Sequence, residues 1–283
     1  MKPAPFAYAK AVSVEDALTL LAGHGDGARL LAGGQSLIAT LNMRLSAPEL
    51  LIDLNAISGL SGIALKDGRV EIGTMTRHAQ AERSDIIARH APLLAMALPH
   101  IGHPAIRNRG TIGGSIAFAD PAAELPACLL ALAGEAEIAD AKGRRHVKAD
   151  DFFKGLYETV IGPGEMLTAI SIPAANAASR FGFAELSRRH GDYAMAGLAA
   201  SARAEGKSLK DIRLAFFGVA LTPVRAKHAE VALTTGSVDD AMHALASDLD
   251  PPDDIQASGR VKLHLAGVLL RRVAAQLTGA EAK

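Results

Sequence analysis

Two pairs of adjacent glycines, each next to hydroxyl side chains, are the residues whose types and spacing could do chemistry. Gly113-Gly114 lies between Thr111 and Ser115. Gly33-Gly34 follows an apolar run and precedes Ser36. Because glycine has no Cβ, the backbone N–H groups beside it can turn toward a ligand. Successive N–H groups that point into one concavity form a nest suited to a phosphate or pyrophosphate. Two such loops, far apart in sequence, predict one ligand long enough to contact both.

The sequence upstream predicts a small α/β unit that contains the first glycine loop. Residues 5–8 predict a short strand, and Ser13 followed by Asp16 is typical of a helix N-terminus. Residues 28–32 predict a buried strand that runs into the first glycine pair. A second apolar strand is predicted over residues 50–54.

Hairpins and helices are predicted around the second glycine pair. Asp67-Gly68 between two alternating runs is a strong hairpin signal. Helical patterns cover residues 79–90 and 92–98. A second hairpin is predicted within residues 135–148, followed by a strand over residues 167–172 that stops at a proline.

Small residues over 173–179 predict a linker into a last unit. Its strands are predicted over 181–186, 195–202 and 212–219, and its helices over 223–233, 238–246 and 258–277. Apolar residues at helical spacing predict a core-facing stripe on the last helix, formed by Val261, Leu265, Val268, Leu269 and Val273. Strands followed by helices indicate an α+β domain.

Composition excludes several classes of function. Thirty basic residues balance thirty acidic ones, so no charge excess favours nucleic acid or a membrane surface. Trp is absent and aromatic residues are 4% of the chain, which argues against a base-stacking platform. Cys128 is the single cysteine, so this chain cannot form an internal disulfide or ligate an iron–sulfur cluster through cysteines. With no signal-peptide pattern and no run near ~20 apolar residues, we expect a cytoplasmic protein without a membrane span.

Common nucleotide and catalytic motifs are missing. There is no dinucleotide fingerprint GxGxxG, and Gly206-Lys207-Ser208 lacks the upstream glycine of a P-loop, since that position is Ser201. No HExxH or GxSxG is present. His100 and His103 straddle a glycine, and we interpret them as loop or core histidines rather than metal ligands.

Four longer segments together carry a specific resemblance. LAGGQSLIATLNMRLSAPELLIDLN and IGHPAIRNRGTIGGSIAFADPAAELPA resemble the two signatures of the FAD-binding medium subunits of molybdenum hydroxylases. SRRHGDYAMAGLAA resembles that family's third motif, and GVALTPVRAKHAE is similar to its C-terminal domain. This family includes the flavoprotein subunit of carbon monoxide dehydrogenase and is similar to the flavin domain of xanthine dehydrogenase. The resemblance covers nearly the whole chain.

The resemblance implies an α+β fold of three parts. A two-subdomain FAD-binding region of the vanillyl-alcohol oxidase type would occupy residues 1–55 and 56–174. A smaller C-terminal domain with an antiparallel sheet and helices would occupy residues 178–283. FAD would lie between the subdomains.

The resemblance also implies which residues bind FAD. The first loop would bind the pyrophosphate through Ala32, Gly33, Gly34, Gln35, Ser36 and Leu37. The second would contact the other side of the cofactor through Thr111, Gly113, Gly114 and Ser115.

Three further cofactor contacts have structural alternatives. Glu124 would lie near the cofactor, or it would only complement the positive end of a helix; that helix starts at Asp120 or at Glu124, the latter with Pro126 first. Leu167 would contact the flavin side, or it is a buried strand leucine. Tyr193 would approach the isoalloxazine, or it packs at a domain seam.

Other residues near these motifs remain open at this point. Asp192 could simply hold a turn. Arg107 and Arg109 would bind a phosphate or a partner subunit, although holding their own loop by salt bridges is the more common role. Gln35 replaces the His of many relatives, which removes an imidazole and any covalent histidyl link there. Phe118 also replaces a frequent His, which removes a polar contact.

The predicted function is electron transfer within a molybdenum hydroxylase complex. A small subunit with two [2Fe-2S] clusters would pass electrons to FAD on this chain, and a large subunit would hold the molybdenum cofactor. The assembly would be a dimer of heterotrimers, that is, a heterohexamer. We predict no catalytic acid or base and no metal on this chain, since the isoalloxazine does the redox chemistry. The alternatives are a self-contained flavin oxidoreductase of the same fold and a non-catalytic assembly factor.

Overall fold

A computed structural model describes residues 2–279 of the chain. Its strands are β1 (Ala7–Lys10), β2 (Ala28–Leu31), β3 (Leu50–Asp53), β4 (Ile63–Lys66), β5 (Arg69–Gly73), β6 (Glu135–Asp140), β7 (Gly143–Lys148), β8 (Phe153–Gly155), β9 (Glu158–Thr159), β10 (Met166–Pro173), β11 (Ser179–Leu186), β12 (Ala196–Glu205), β13 (Ser208–Phe217) and β14 (Val224–Arg225). Its α-helices are α1 (Val14–His24), α2 (Leu37–Asn42), α3 (His78–Glu82), α4 (Asp85–His90), α5 (Pro92–Ala97), α6 (Pro104–Arg107), α7 (Ile112–Phe118), α8 (Glu124–Ala131), α9 (Ala149–Phe152), α10 (Lys227–Thr235), α11 (Val238–Asp248) and α12 (Gly259–Thr278).

The first part of the chain forms a small parallel sheet in the order β1-β3-β2. The Ser13 hydroxyl accepts a hydrogen bond from the Asp16 N–H at 3.1 Å and starts α1 as predicted. The first strand starts at Ala7 rather than Pro5, because proline has no N–H to donate and pairing begins where Ala7 donates to Glu49 at 2.7 Å. The first glycine loop follows β2 directly.

The middle part forms an antiparallel sheet in the order β4-β5-β10-β6-β7. Asp67 and Gly68 both have positive φ, 48° and 73°, which is the two-residue turn expected for this hairpin. The helical pattern over 79–90 is interrupted, because Ser84 caps a new helix, α4, with its hydroxyl 3.4 Å from the Ile87 nitrogen. Helices α5, α7 and α8 pack between this sheet and the next in one large apolar core.

The last part is a four-stranded antiparallel sheet, β11-β12-β13-β14, covered by α10, α11 and α12. The P-loop-like Gly206-Lys207 lies in the turn of the β12–β13 hairpin. The predicted stripe on α12 is wrong at its start, where Val261 is 44% exposed and Lys262 is buried. Lys262 tolerates burial because its ammonium pairs with Asp254 at 2.5 Å. Within residues 2–279, no helix has both the length and the apolarity to cross a bilayer.

Hydrogen bonds and an ion pair connect the last sheet with the middle part of the chain. Arg213 on β13 donates to the carbonyl oxygen of Leu130 at the end of α8 and pairs with Asp150 at 2.6 Å. Ser201 on β12 donates to the Ala131 carbonyl at 2.7 Å. These contacts place the loop after β11 over the loops of the middle part, where Gly191 lies against Gly102.

Candidate functional site

A cleft of about 410 Å³ opens where loops from three of the sheets meet. This volume is in the range of roughly 300–1,000 Å³ typical of small-molecule sites. Its walls include every residue predicted from the sequence to contact the cofactor: Ala32, Gly33, Gly34, Gln35, Ser36, Leu37, Thr111, Gly113, Gly114, Ser115, Glu124, Leu167 and Tyr193. The structure therefore brings residues more than 150 positions apart into one site.

The first glycine loop presents a row of free donors to this cleft. Within residues 2–279, none of the five consecutive N–H groups from Gly33 to Leu37 donates a hydrogen bond to a protein acceptor. Gly34 has φ of 73°, a conformation that glycine adopts without strain, and Leu37 begins α2. Unpaired N–H groups that lead into a helix N-terminus are suited to a phosphate or pyrophosphate.

The second glycine pair differs from the nest predicted for it. Gly113 and Gly114 lie in the first turn of α7, not in an open loop. The Gly113 N–H donates to the Thr74 carbonyl at 2.9 Å, and the Gly114 N–H donates to the Thr111 hydroxyl at 3.0 Å. The Ser115 N–H donates to the Thr111 carbonyl at 3.1 Å. The prediction that free N–H groups here bind an anion is wrong, because all three are already paired.

Glycine at Gly33 and Gly113 is required by packing. A Cβ on Gly33 would meet the Arg109 carbonyl oxygen and lie 2.8 Å from the Cα of Gly110. A Cβ on Gly113 would collide with the side chain of Thr74 and lie 2.6 Å from its Cα. Gly33 lets the first loop pack directly against Arg109 and Gly110. Gly113 lets the start of α7 pack directly against Thr74, the residue after β5. These close contacts bring the walls of the cleft together.

Hydrogen bonds of Arg77 and Asn55 connect the first glycine loop with the residues just before the second glycine pair. Neither residue carries a local sequence signal for this role. The Asn55 amide donates to the Ala32 carbonyl at 3.1 Å. The Arg77 guanidinium donates to the Asn55 side chain and to the Arg109 carbonyl. Burial, with the nearby Arg109 charge, lowers the pKa of Arg77 from its usual range. These bonds fix the width of the cleft.

His78 is a buried histidine at the base of the same segment and is 4% exposed. Its Nε2 lies 2.8 Å from the Thr111 carbonyl oxygen and donates to it, while Nδ1 has no partner within the described residues. Burial lowers its pKa to about 4, and the positive charges of Arg107 and Arg77 act in the same direction. The imidazole is therefore neutral at physiological pH and holds the N-cap of α7 in place.

The two arginines left open by the sequence have different roles. Arg107 is buried and pairs with Glu82 at 3.0 Å, and it also donates to the carbonyl oxygens of Ile101 and Gly102. It therefore holds its own loop. Arg109 contributes its carbonyl oxygen to Arg77, and its side chain is exposed beside the first loop.

Two carboxyl groups, those of Asp120 and Glu124, also line the cleft. Glu124 begins α8, so Pro126 is the third residue of this helix rather than the first. The missing N–H of Pro126 costs no helical hydrogen bond, because the first four N–H groups of a helix have no partner within it. Burial raises the pKa of Glu124 to about 8, with a smaller contribution from the charge of Glu185. Burial also raises the pKa of Asp120, whose carboxylate accepts from the Ala122 N–H at 2.9 Å. A neutral Glu124 does not complement the helix dipole as a charge.

Aromatic and apolar side chains also line the cleft. Leu167 is a buried residue of β10 that also lines the cleft. Tyr193, 61% exposed, lies on the loop from the last sheet, next to Asp192. Phe118 packs against Tyr157 with ring centroids 5.1 Å apart. The cleft is thus lined by apolar and phenolic groups as well as by the donor-rich first loop.

Comparison with known proteins shows the family to which the chain belongs. Residues 4–175 match the family described as the FAD binding domain in molybdopterin dehydrogenase. Residues 181–277 match the CO dehydrogenase flavoprotein C-terminal domain. Together these two matches span most of the chain.

Individual relatives extend over nearly the full length. The chain is 39% identical over 98% of its length to the 6-hydroxypseudooxynicotine dehydrogenase complex subunit alpha of Paenarthrobacter nicotinovorans, covering 95% of that protein. It is 37% identical to the nicotine 6-hydroxylase medium subunit of the same organism, covering 96% of this chain and 97% of the relative. A chain of carbon monoxide dehydrogenase from Hydrogenophaga pseudoflava superposes with a TM-score of 0.96 at 37% identity, with 99% of each chain covered.

Proposed function

This chain belongs to the FAD-binding medium subunits of the molybdenum hydroxylases, and we propose that it carries electrons between a partner's iron–sulfur clusters and a terminal acceptor. The observation that carries the proposal is the row of five free N–H groups in a cleft that aromatic, apolar and carboxyl side chains also line. This arrangement fits a pyrophosphate joined to a flat ring.

The residues present fit FAD in kind and in position. The N–H groups of Gly33 to Leu37 would hold the pyrophosphate, since each lacks another acceptor within the described residues. Thr111 and Ser115 would contribute hydroxyl groups, and the packed Gly113-Gly114 would give the cofactor a flat wall. Leu167, Glu124 and Tyr193 would surround the ring. When bound, FAD supplies the exchange between one-electron and two-electron carriers, and the protein supplies orientation and electrostatics.

Partner subunits are supported by the relatives, which are named as subunits of multi-subunit enzymes. Cys128 is buried in α8 and cannot ligate a cluster. No group of three or more metal-ligating side chains occurs within residues 2–279. We propose a small iron–sulfur subunit and a large molybdopterin subunit, assembled as a dimer of heterotrimers. We also propose that residues 1–55, 56–174 and 178–283 fold as the three units expected from the sequence.

The cofactor is tested on the purified chain. We expect a yellow protein that releases about one FAD per chain on denaturation, measured by absorbance and chromatography of the supernatant. A colourless chain that takes up no added FAD would refute the proposal and favour an assembly factor.

The electron-transfer role is tested on the complex from the native host. We expect the tagged chain to co-purify with an iron-containing and a molybdenum-containing subunit, and substrate oxidation by the complex to reduce its flavin. A lone, FAD-loaded chain that oxidises a substrate with full turnover would refute this role and support a self-contained flavoenzyme.

A further inference from the structure

The carbonyl oxygen of Ala32, at the start of the first glycine loop, is held by a side chain from the segment after β3. Strands β2 and β3 pair in parallel, and beyond them a backbone bond runs from the Leu54 N–H to the Leu31 carbonyl at 3.0 Å. The next carbonyl along the chain, that of Ala32, accepts instead from the side-chain amide of Asn55 at 3.1 Å. The Asn55 side chain therefore extends the pairing of the two segments by one bond, into the loop.

This bond determines the direction of the Gly33 N–H. The peptide group between Ala32 and Gly33 is planar and trans, so its C=O and its N–H point in opposite directions. Ala32 and Gly33 line the cleft, whereas Asn55 does not. Because the carbonyl points outward to Asn55, the N–H points toward the cleft, where it has no acceptor within the described residues.

Two charged side chains fix which way the amide of Asn55 faces. The Asp53 carboxylate accepts from the backbone N–H of Asn55 at 2.8 Å and from its side-chain NH₂ group at 2.5 Å. The Arg77 guanidinium donates to the amide oxygen of Asn55. A carboxylate only accepts and a guanidinium only donates, so a flipped amide would oppose acceptor to acceptor and donor to donor. The NH₂ group therefore faces Asp53 and Ala32.

Asp53 is in turn held as a carboxylate from the neighbouring strand. The Tyr8 hydroxyl on β1 donates to the second carboxylate oxygen of Asp53 at 2.5 Å. Burial opposes ionisation, but the hydrogen bonds from Tyr8 and Asn55 outweigh it and lower the pKa of Asp53. Among the residues that the structure describes, Tyr8, Asp53, Asn55 and Arg77 all lie outside the cleft wall. These bonds thus reach the first loop from behind.

We propose that Asn55 is a positioning residue for the cofactor: by holding the Ala32 carbonyl outward, it aims the Gly33 N–H at the pyrophosphate of FAD. This inference rests on the function proposed above. Within the described residues the Ala32 carbonyl accepts from no other donor. Without the Asn55 amide this peptide is free to rotate, and its oxygen then faces the cleft in place of its N–H. A carbonyl dipole in that direction repels a pyrophosphate that the N–H would bind.

The effect on affinity is tested by calorimetric titration of the flavin-free chain with FAD. Asn55→Leu nearly keeps the size of the side chain and removes its donor without adding a charge. We expect the dissociation constant for FAD to rise roughly 10- to 150-fold, the scale of a lost hydrogen bond to a charged group. Asn176→Leu is the matched control, because Asn176 is also exposed and also bonds to the backbone, accepting from the Ala178 N–H at 2.9 Å. It should bind FAD as the unaltered chain does.

An NMR signal reports on the peptide itself. The chain has five Ala-Gly sequences, so ¹³C-carbonyl alanine combined with ¹⁵N-glycine selects five amide signals, one of them from Gly33. Ala32→Ser removes the label from this pair and identifies the Gly33 signal. In the unaltered chain we expect this signal to move on addition of FAD and of ADP, which carries the pyrophosphate without the flavin. In Asn55→Leu we expect ADP at the same concentration to leave it in place, with the other four signals unchanged, a pattern that general loss of structure would not give.

The two measurements separate the outcomes. Asn55→Leu protein that binds FAD as tightly as the unaltered chain would overturn the inference and leave the proposed function intact. An unaltered chain that binds FAD without any movement of the Gly33 signal would do the same. If Asn55→Leu does not fold, Asn55→Ser, whose shorter side chain ends before the Ala32 carbonyl, takes its place. A chain that binds no FAD at all refutes the proposed function, and this inference with it.

Discussion

Replacing Gly34 by alanine should weaken FAD binding selectively. Gly34 has φ of +73°, and an added Cβ would lie 3.1 Å from Ile38 Cγ1 and 3.3 Å from Leu31 Cδ1. A left-handed conformation costs a non-glycine residue about 1–2 kcal/mol. The free loop can relieve that strain by moving, but its N–H groups must return to their places to bind the pyrophosphate. If the whole strain opposes binding, the dissociation constant for FAD rises roughly 5- to 30-fold.

The chain contains a matched control for this change. Gly68 has the same φ of +73°, lies in the β4–β5 turn, and has no atom within 4 Å of an added Cβ. Gly68→Ala should therefore lower the free energy of unfolding by about 1–2 kcal/mol and leave FAD affinity unchanged. The assay is calorimetric titration of flavin-free protein with FAD, with urea denaturation of both variants alongside. Equal FAD affinities for Gly34→Ala and Gly68→Ala would show that the first loop does not bind the cofactor.

Two further predictions concern stability and pH in the flavin-free chain. His78 has a pKa of about 4 when folded and an ordinary value of 6.5 when unfolded, so between these values the unfolded chain binds the extra proton and stability falls as the pH drops. From pH 7.5 to about 4.5 this loss is ~2.5 kcal/mol. The variant His78→Gln keeps a donor to Thr111 and should not show that part of the loss when its stability is measured by urea denaturation. Parallel curves of stability against pH for the two proteins would contradict the assignment of this loss to His78. The contribution of Glu124 to stability depends on pH in the opposite direction. The folded carboxyl keeps its proton up to a pKa of about 8, while the unfolded carboxyl loses its proton near 4.5. The stability of the unaltered chain therefore falls as the pH rises through this window. Between pH 5 and about 9, the free energy of unfolding of Glu124→Gln should rise by a few kcal/mol relative to that of the unaltered chain. A difference between the two proteins that stays constant with pH would contradict this prediction.

Local patterns were sufficient for most elements of the fold. Ser13 as an N-cap, Asp67-Gly68 as a turn and the strands of the last sheet depend on nearby residues, and the structure has them close to where the sequence predicts them. The errors arise where a tertiary contact overrides the pattern. Val261 fits the apolar stripe of α12, but it is 44% exposed, and the neighbouring Lys262 is buried and pairs with Asp254.

The sequence predicted residues that lie together in the structure, but it did not predict their hydrogen-bond partners. The long motifs led to all thirteen predicted residues, and these line one cleft. The partner of the Gly113 N–H is Thr74, and nothing near Gly113 in sequence predicts that contact. Arg77 and His78 precede the helical pattern predicted over residues 79–90, and nothing near them in sequence predicts their contacts with Arg109 and Thr111. The Glu185–His100 pair joins two parts of the chain. Contacts of this kind depend on the folded arrangement alone.

The contrast between the two glycine pairs explains how one cleft can hold a long ligand. At the first pair the backbone donors are free and glycine permits the left-handed turn at Gly34. At the second pair the donors are consumed, and Gly113 instead permits α7 to approach Thr74. Only the first can supply backbone hydrogen bonds to a pyrophosphate. The second sets the distance to it, through the contact between Gly33 and the Arg109 carbonyl and through the bonds of Arg77. Under the proposed function, the first loop would supply the contacts to phosphate and the start of α7 would set the geometry of the cleft. A change at the second pair should therefore alter the cleft before it alters any direct contact with phosphate.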